Sequence, residues 1–302
     1  MWRERLSEAE VRAVTELVSA ATDADGVAPL SEHVLLHLSH GGDARAANLL
    51  LRGGRQLVGY AHLDATDGVA AASGEIVVHP DHRKRGYGRA LVGELRTHAG
   101  NAELRLWAHG HQPAAAALAQ HTGFTRTRVL WQMRRSLGAP VPEPSWPAGI
   151  VVRTFLVGQD EQAWLACNSR AFAGHPEQGD WTLADLLRRE AEPWFDPGGF
   201  FLAERGGQLA GFHWTKVHRA RPLPEPGAQH QAIGEVYVVG VDPDAQGTGL
   251  GAALTVHGLR HLRSSGLAYV LLYVDENNPR AVALYERLGF TRWDSDVTYS
   301  SD

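Results

Sequence analysis

Residues 246–251 read Gln246-Gly247-Thr248-Gly249-Leu250-Gly251 and lie between a predicted strand at 234–241 and a predicted helix at 251–264. Glycine has no Cβ, so the backbone of such a turn can approach a ligand and point its amides toward it. The start of the following helix adds unpaired N–H groups and the positive end of the helix dipole. The stretch therefore predicts a pyrophosphate-binding turn. It is not a Walker A loop, which requires Gly-Lys-Ser/Thr, and it lacks the first glycine of the dinucleotide fingerprint.

A second copy of this turn occurs in the first half of the chain. It reads Arg83-Lys84-Arg85-Gly86-Tyr87-Gly88 and precedes the turn at 246–251 by 163 residues. Farther along, Pro279 to Phe290 repeats Pro113 to Phe124 at an offset of 166 residues. A single copy could be a simple connection between a strand and a helix, but two copies in the same order argue against that. The repeat indicates duplication of a whole domain.

Length and composition set the broad class. A chain of 302 residues with 44% hydrophobic and 21% charged residues is long enough for about two globular domains. The segment 138–147 holds four prolines in eight residues, so we expect a proline-rich linker between domains at 1–138 and 149–302.

Each half reads as mixed α/β with a mixed (α+β) sheet. The predicted elements, with boundaries good to about 2–4 residues, are as follows. Strands are expected at 48–52, 56–63, 75–79, 103–108, up to 133, 150–155, 200–205, 208–218, 234–241, 269–274 and 291–299, with helices at 7–21, 31–39, 88–98, 113–121, 159–173, 182–190, 251–264 and 279–288.

The same composition excludes several function classes. The net charge of −5 argues against a nucleic-acid partner. The N-terminus is charged where a leader peptide needs an apolar core, and no apolar run is long enough to cross a bilayer. The lone Cys167 has no partner for an internal disulfide. We therefore expect a cytoplasmic monomer without a membrane partner.

The order of these motifs resembles the GCN5-related N-acetyltransferase (GNAT) family. The turn has the family's form Arg/Gln-x-x-Gly-x-Gly, and Asn277-Asn278-Pro279 leads into a helix ending at Gly289-Phe290, as in that family. The resemblance implies two tandem GNAT-like domains and acetyl-CoA as the acetyl donor. The cofactor-binding residues that it implies are Ile76, Val77, Val78, Lys84, Arg85, Gly86, Tyr87, Gly88, Arg89, Val239, Gly240, Val241, Gln246, Gly247, Thr248, Gly249, Leu250, Gly251, Ala252, Asn278, Arg280, Ala281, Val282 and Ala283.

The resemblance extends to tandem members of the family that acetylate the cysteinyl amine of a cysteine–glucosamine–inositol conjugate. The segments that carry it are 26–29, 171–179, 211–218, 234–238 and 271–274. It implies that this small pseudo-disaccharide is the partner and that carboxylates and other polar groups bind its hydroxyls. The implied substrate residues are Glu32, Glu177, Lys216, Glu235 and Tyr273. Because Glu32 belongs to the first domain, the expected pocket lies between the domains.

Acetylation of an amine requires a neutral amine, a stabilised oxyanion and a protonated leaving thiol. Glu235 is the candidate base, with a pKa that burial or neighbouring carboxylates raise toward neutrality. Its alternative role is that of a surface carboxylate. Tyr285 is the candidate acid, and its alternative role is packing in the core. The residue aligned with Tyr285 in the first half is Ala119, which has no proton to give, so we expect the second domain to catalyse and the first to bind or support. A backbone N–H near Val239 is expected to hold the oxyanion.

Other interpretations stay open or carry less weight. The acceptor could be another amine, such as an aminoglycoside or a peptide N-terminus, or the chain could be a non-catalytic acetyl-CoA sensor. His33 and His37 have a helical spacing that zinc sites use, with His40 nearby, but no matching carboxylate pattern appears and we expect no metal. Cys167 is expected to be a buried, inert thiol. Both turns keep their last two glycines, so we expect two coenzyme A sites. The first should be the tighter because Arg83, Lys84 and Arg85 adjoin it.

Overall fold

The computed structural model describes residues 1–41, 45–65, 71–175, 178–222 and 229–301. The first half of the chain forms alternating helices and strands. In chain order these are β1 (Trp2–Arg3), α1 (Glu8–Asp25), α2 (Glu32–His40), β2 (Ala46–Gly53), β3 (Gln56–Asp64), β4 (Ala72–Val78), α3 (Tyr87–Ala99), β5 (Leu104–Ala108), α4 (Pro113–His121) and β6 (Phe124–Ser136). Helix α1 begins in a reciprocal capping box between Ser7 and Glu10 and is capped at its C-terminus by Gly26.

The second half repeats the order with two additional short strands. Its elements are β7 (Ile150–Thr154), α5 (Glu161–Ala171), α6 (Leu183–Glu190), β8 (Phe200–Arg205), β9 (Gln208–His218), β10 (Arg221–Pro222), β11 (Gln229–His230), β12 (Ile233–Val241), α7 (Leu250–Ser264), β13 (Tyr269–Asp275), α8 (Pro279–Arg287) and β14 (Thr291–Ser301). Three short 3-10 turns lie at Pro80–His82, Pro197–Gly199 and Pro243–Ala245. The predicted helices and strands occur within a few residues of their expected bounds. The short strands β1, β10 and β11 are additional.

The chain divides into two compact units whose limits differ from the predicted domains. The first comprises Met1–Trp131 together with Asp294–Asp302, and the second comprises Gln132–Trp293. The division falls inside β6 and again inside β14, and not at the proline-rich segment. That segment lies on the second unit, where Arg135 donates to the carbonyl oxygens of Ala139 and Pro140. The C-terminal residues pack with the first unit because β14 pairs antiparallel with β5 from Val297 to Ser300.

The first unit has helices on both faces of its sheet. The strand order is β1-β2-β3-β4-β5-β14, with β4 and β5 parallel and the other neighbouring strands antiparallel. Side chains alternate between the two faces along β3: Ala61 and Leu63 pack with α3 and α4, whereas Tyr60 packs with α1 and α2. The unit therefore has three layers.

The second unit repeats this arrangement. Its strands follow the order β13-β12-β9-β8-β7, and β12 and β13 are the parallel pair. One face carries an aromatic core around Trp164 and Trp214 under α5 and α6, and the other packs Leu250 and Leu254 of α7. Cys167 is fully buried in the aromatic core, and burial raises the pKa of its thiol to about 12. This agrees with the predicted inert role. Among the described helices, none has both the length and the apolar character needed to cross a bilayer.

Candidate active site

The glycine turn of the second unit leaves a helix N-terminus without a side-chain cap. Gly247 and Gly249 have φ values of 76° and 90°, in the left-handed region that favours glycine. Gly249 is the N-cap of α7 and supplies no side-chain hydrogen bond to it. Thr248 donates its hydroxyl to the carbonyl oxygen of Ala245, which stabilises the turn itself. The first N–H groups of α7 are therefore available to an anion.

The turn of the first unit has the same backbone with a different residue at one position. Lys84 has a φ of 60° and Gly86 a φ of 85°, at the places of Gly247 and Gly249. Gly86 is the N-cap of α3 and likewise provides no side-chain cap. Lys84 therefore holds a left-handed conformation that non-glycine residues seldom adopt.

One of the three cations predicted beside this turn, Arg83, is paired within the protein. Both terminal nitrogens of Arg83 donate to the carboxylate of Asp25, at 2.7 Å each, and this bidentate pair raises the pKa of the guanidinium. The charge of Arg83 is thus balanced by α1. Lys84 and Arg85 remain exposed beside the turn.

A bulge in β12 opens the sheet next to the second turn. Val236 pairs with Thr215 of β9, whereas Val238 pairs with Trp214, so Tyr237 is an additional residue on β12. Within the described chain, pairing of β12 with β13 covers only residues 234–236, although β12 continues to Val241. The amides of 237–241 that face β13 are therefore open to a ligand. In the first unit, β4 keeps a regular register with β3 along all its pairs.

Glu235 lies just before this bulge and is buried, with 7% of its surface exposed. Its carboxylate is 2.6 Å from Nε2 of His218, and Lys216 is its direct neighbour across the strand pair. Burial acts to raise the pKa of Glu235, but the hydrogen bond from His218 and the charges of His218 and Lys216 together lower it below its usual value. The expected upward shift is therefore wrong, because the nearest groups are a hydrogen-bonding imidazole and a lysine and not carboxylates.

Lys216 is also buried and sits against aromatic rings. Its ammonium lies 4.1 Å from the ring centroid of Trp194 and 5.0 Å from that of Tyr237. The Tyr237 hydroxyl accepts a hydrogen bond of 2.9 Å from Nε of Arg189. The bulge residue is thus held between two cations beside Glu235.

Tyr285 lies on α8, as predicted, and is half-buried. Its ring is 5.8 Å from that of Phe290, and burial raises the pKa of its hydroxyl to about 12. The hydroxyl therefore keeps its proton at neutral pH, as a proton donor must. Its counterpart Ala119 is buried on α4.

The other predicted site residues have varied surroundings. Tyr273 is 42% exposed, and its hydroxyl accepts a hydrogen bond of 2.8 Å from Gln132. Asn278 caps α8 by accepting from the N–H of Ala281 at 3.1 Å. Glu32 is the first residue of α2. Glu177 lies outside the described residues.

His218 is the residue that sequence reasoning missed. It ends β9, and Glu235 stands two residues into β12 on the neighbouring antiparallel strand. The signal that could have found it is the pairing of these two strand ends, since the motifs alone do not specify which side chains meet across the sheet.

Comparisons with known proteins agree with this geometry. The profile of the acetyltransferase (GNAT) family matches residues 163–290, and that of an acetyltransferase (GNAT) domain matches residues 46–126. A protein of Streptosporangium roseum named mycothiol acetyltransferase is 54% identical, over 98% of this chain and 97% of its own length. One of Thermobispora bispora with the same name is 58% identical, again over 98% and 97%. This chain belongs to the mycothiol acetyltransferase family. Like other GNAT proteins, members of this family are N-acetyltransferases, and here both halves are GNAT domains.

Solved structures show the same tandem fold. A tandem GNAT protein from the clavulanic acid biosynthesis pathway matches over 100% of this chain and 98% of its own, with a TM-score of 0.73 and 21% identity. A GCN5-related N-acetyltransferase from Sphaerobacter thermophilus matches over 100% and 95%, with a TM-score of 0.67 and 26% identity. The predicted fold class of two tandem GNAT-like domains is confirmed.

Proposed function

We propose that the protein transfers the acetyl group of acetyl-CoA to the cysteinyl amine of a cysteine–glucosamine–inositol conjugate, which completes mycothiol, and that the second unit performs the chemistry. The observation that carries the assignment to the second unit is the bulge at Tyr237. It occurs beside an uncapped glycine turn and a buried Glu235, whereas β4 of the first unit is regular. The relatives named mycothiol acetyltransferase, 52–58% identical, support the choice of substrate.

The second turn and the open part of β12 bind the donor in this proposal. The N–H groups at the start of α7 hold the pyrophosphate, and the pantetheine arm runs along 239–241 with α8 beside it. A backbone N–H near Val239 donates to the carbonyl oxygen of the thioester as it becomes an oxyanion. The residues of the second unit that we propose to contact acetyl-CoA are Val239, Gly240, Val241, Gln246, Gly247, Thr248, Gly249, Leu250, Gly251, Ala252, Asn278, Arg280, Ala281, Val282 and Ala283.

Proton transfer involves the carboxylate–imidazole pair and the tyrosine. A free α-amino group has a pKa of about 7.7–8.0, so part of the substrate amine is already neutral near pH 7. The amine nitrogen attacks the thioester carbon, and the proton that it loses passes to the pair of Glu235 and His218. The C–S bond breaks, and the hydroxyl of Tyr285 protonates the departing sulfur. Since Glu235 is ionised, it serves best as an acceptor and as a partner that orients the His218 ring.

The substrate residues remain predictions on the same basis. Lys216 and Glu235 are adjacent at the bulge, and Tyr273 presents an exposed ring on β13. Glu32 and Glu177 are proposed to accept hydroxyl hydrogens of the sugar and the inositol. In the first unit, residues 76–78 and 84–89 are proposed to bind a second coenzyme A with Lys84 and Arg85 beside its phosphates. A monomeric state and a cytoplasmic location also remain predictions.

The test is mass spectrometry of the product formed from acetyl-CoA and the cysteinyl conjugate. One acetyl group on the cysteinyl nitrogen is expected, with no product from the glucosamine–inositol that lacks cysteine. Preferred acetylation of an aminoglycoside or a peptide N-terminus would overturn the substrate. Binding of acetyl-CoA without turnover on any of these amines would overturn the enzymatic assignment and favour a sensor.

A further inference from the structure

Two histidines and a carboxylate of the first unit converge outside the predicted catalytic site. His33 and His37 lie four residues apart on α2, and Asp64 ends β3. One potential ligand atom from each of the three lies within 4.8 Å of those of the others. Nε2 of His33 is 2.6 Å from Oδ2 of Asp64. The sequence shows only the helical pair, because Asp64 reaches it through the fold.

A series of hydrogen bonds connects the buried amide of Asn48 through His62 to His37 of this cluster. Nδ2 of Asn48 donates to the carbonyl oxygens of Arg3 and Glu4, at 3.4 and 3.3 Å. Its Oδ1 therefore faces the other way, where it accepts from the hydroxyl of Tyr60 at 2.6 Å. The same Oδ1 is 3.2 Å from Nδ1 of His62. Because an amide oxygen only accepts, Nδ1 of His62 carries a hydrogen.

This hydrogen determines the tautomer of the next ring. His62 is 1% exposed, and because its hydrogen lies on Nδ1, its Nε2 is the accepting nitrogen of the ring. Nδ1 of His37 is 3.2 Å from that Nε2 and must be the donor. With its hydrogen on Nδ1, His37 would coordinate an ion through Nε2. Metal-binding histidines are held in the same way, with one ring nitrogen donating to a fixed acceptor while the other binds the ion.

We propose that His33, His37 and Asp64 bind a divalent transition-metal ion, with Zn²⁺ the best match. Two imidazoles and one carboxylate form a ligand set that zinc uses when a fourth position stays open to water or a ligand. On binding, the hydrogen between His33 and Asp64 is released to solvent, and the lone pairs of both side chains turn to the ion. His33 is half-exposed, so its ring has room to adjust.

The place of the cluster in the duplicated fold supports a ligand site. The paired residues of β3 and β4 can be matched with those of β9 and β12 by counting from the glycine turn of each unit. On this count, the pair of Asp64 and Ser73 corresponds to the pair of Lys216 and Glu235. The first unit thus has a metal-binding carboxylate at the position where the second unit has a buried lysine.

The proposal is tested on the full chain after removal of metals with a chelator. Zn²⁺ is titrated against a chromophoric competitor, and Co²⁺ is added separately to read the visible spectrum of the coordination sphere. One tight site per chain is expected. His33→Gln and Asp64→Asn should each weaken it at least about 100-fold, and His62→Gln about 10–100-fold because His37 loses the ring that accepts its Nδ1 hydrogen.

The matched control is His121→Gln, since His121 is exposed on α4 and donates only to a local carbonyl oxygen. This variant should keep the tight site. Circular dichroism checks that each variant is folded. Absence of a tight site in the unaltered protein overturns the proposal, and so does a tight site that survives in folded His33→Gln and Asp64→Asn.

Discussion

At the scale of single residues, the pKa of the Glu235 carboxyl is determined by its two nearest side chains, His218 and Lys216. A buried carboxylate by itself would have a raised pKa, but His218 at 2.6 Å and Lys216 across the strands reverse the direction. An ionised Glu235 attracts a proton through His218, which reaches the surface. The pair therefore links a buried charge to solvent, which neither residue does alone.

This pairing makes a prediction about pH. Glu235→Gln and His218→Gln should each lower kcat/KM by roughly 100-fold or more near pH 6.5, where the substrate amine needs a proton acceptor. The loss should shrink above about pH 8, where the amine is neutral without help. The control is Glu204→Gln, which alters a carboxylate of β8 that is paired with Arg153 of β7. A loss that is equal at every pH would indicate a purely structural role.

Tyr285 provides a second prediction at the same scale. Because burial raises the pKa of its hydroxyl to about 12, the group is a donor throughout the neutral range. Tyr285→Phe should lower kcat by roughly 10²–10⁴-fold, while the KM for acetyl-CoA changes little. Tyr269→Phe, on an exposed tyrosine of β13, is the matched control. Normal turnover by Tyr285→Phe would assign the proton donor elsewhere.

At the scale of elements, each turn is braced to the first helix of its own unit by an ion pair, and the two pairs have opposite polarity. In the first unit Arg83 of the turn binds Asp25 of α1, and in the second Arg170 of α5 binds Asp242 before the turn at 2.7 Å. The duplicated units therefore keep the brace and exchange its charges. The consequence differs, because only in the first unit does the brace neutralise a cation of the turn.

The two turns also provide a matched pair of substitutions. Gly86 and Gly249 have nearly the same φ, and an added Cβ meets no atom within 4 Å at either position. Gly249→Trp should abolish turnover by filling the donor site. Gly86→Trp, with equal backbone strain, should remain within about tenfold of the native rate and remove one of two coenzyme A sites in calorimetry. A dead, folded Gly86→Trp beside an active Gly249→Trp would reverse the assignment of the units.

Local patterns in the sequence account for most elements and for the turns, but not for their partners. The sequence predicts β8, β9 and α4 to the residue, because the residues that favour each element and the turn residues that bound it are local. The pairings of Arg83 with Asp25 and of His33 with Asp64 join residues that are distant in the chain, and no periodicity encodes them. The predicted upward shift in the pKa of Glu235 is wrong for the same reason, because the shift depends on the register of β9 against β12.

At the scale of the whole molecule, the last residues of the chain complete the first unit. Asp296 of β14 lies 2.9 Å from Nδ1 of His109, and its other oxygen accepts from the N–H of Gly110 at 2.9 Å. Nε2 of His109 is 3.4 Å from the buried Glu75 of β4. One imidazolium thus joins β4, β5 and the C-terminal strand. Its two carboxylate neighbours outweigh burial and raise the pKa of His109 to about 10.

This buried triad predicts how the stability of the protein depends on pH. A folded-state pKa above the unfolded value of about 6.5 gives stabilisation that is complete below pH 6.5 and lost as the pH rises toward about 10. The carboxyl of Glu75, with a lowered pKa, instead loses its contribution in acid.

His109→Gln should therefore destabilise the first unit by about 3–5 kcal/mol at pH 7, since it leaves two buried carboxylates without their cation. It should also flatten the dependence of unfolding free energy on pH between 7 and 10. The measurement is urea unfolding at both pH values for the native chain, His109→Gln and the surface control His121→Gln. Two results would contradict this: a His109→Gln urea midpoint equal to that of the native chain at pH 7, or an equal loss of unfolding free energy in both proteins between pH 7 and pH 10. Either would mean that the C-terminal strand is held by its backbone pairing with β5 and not by the imidazolium.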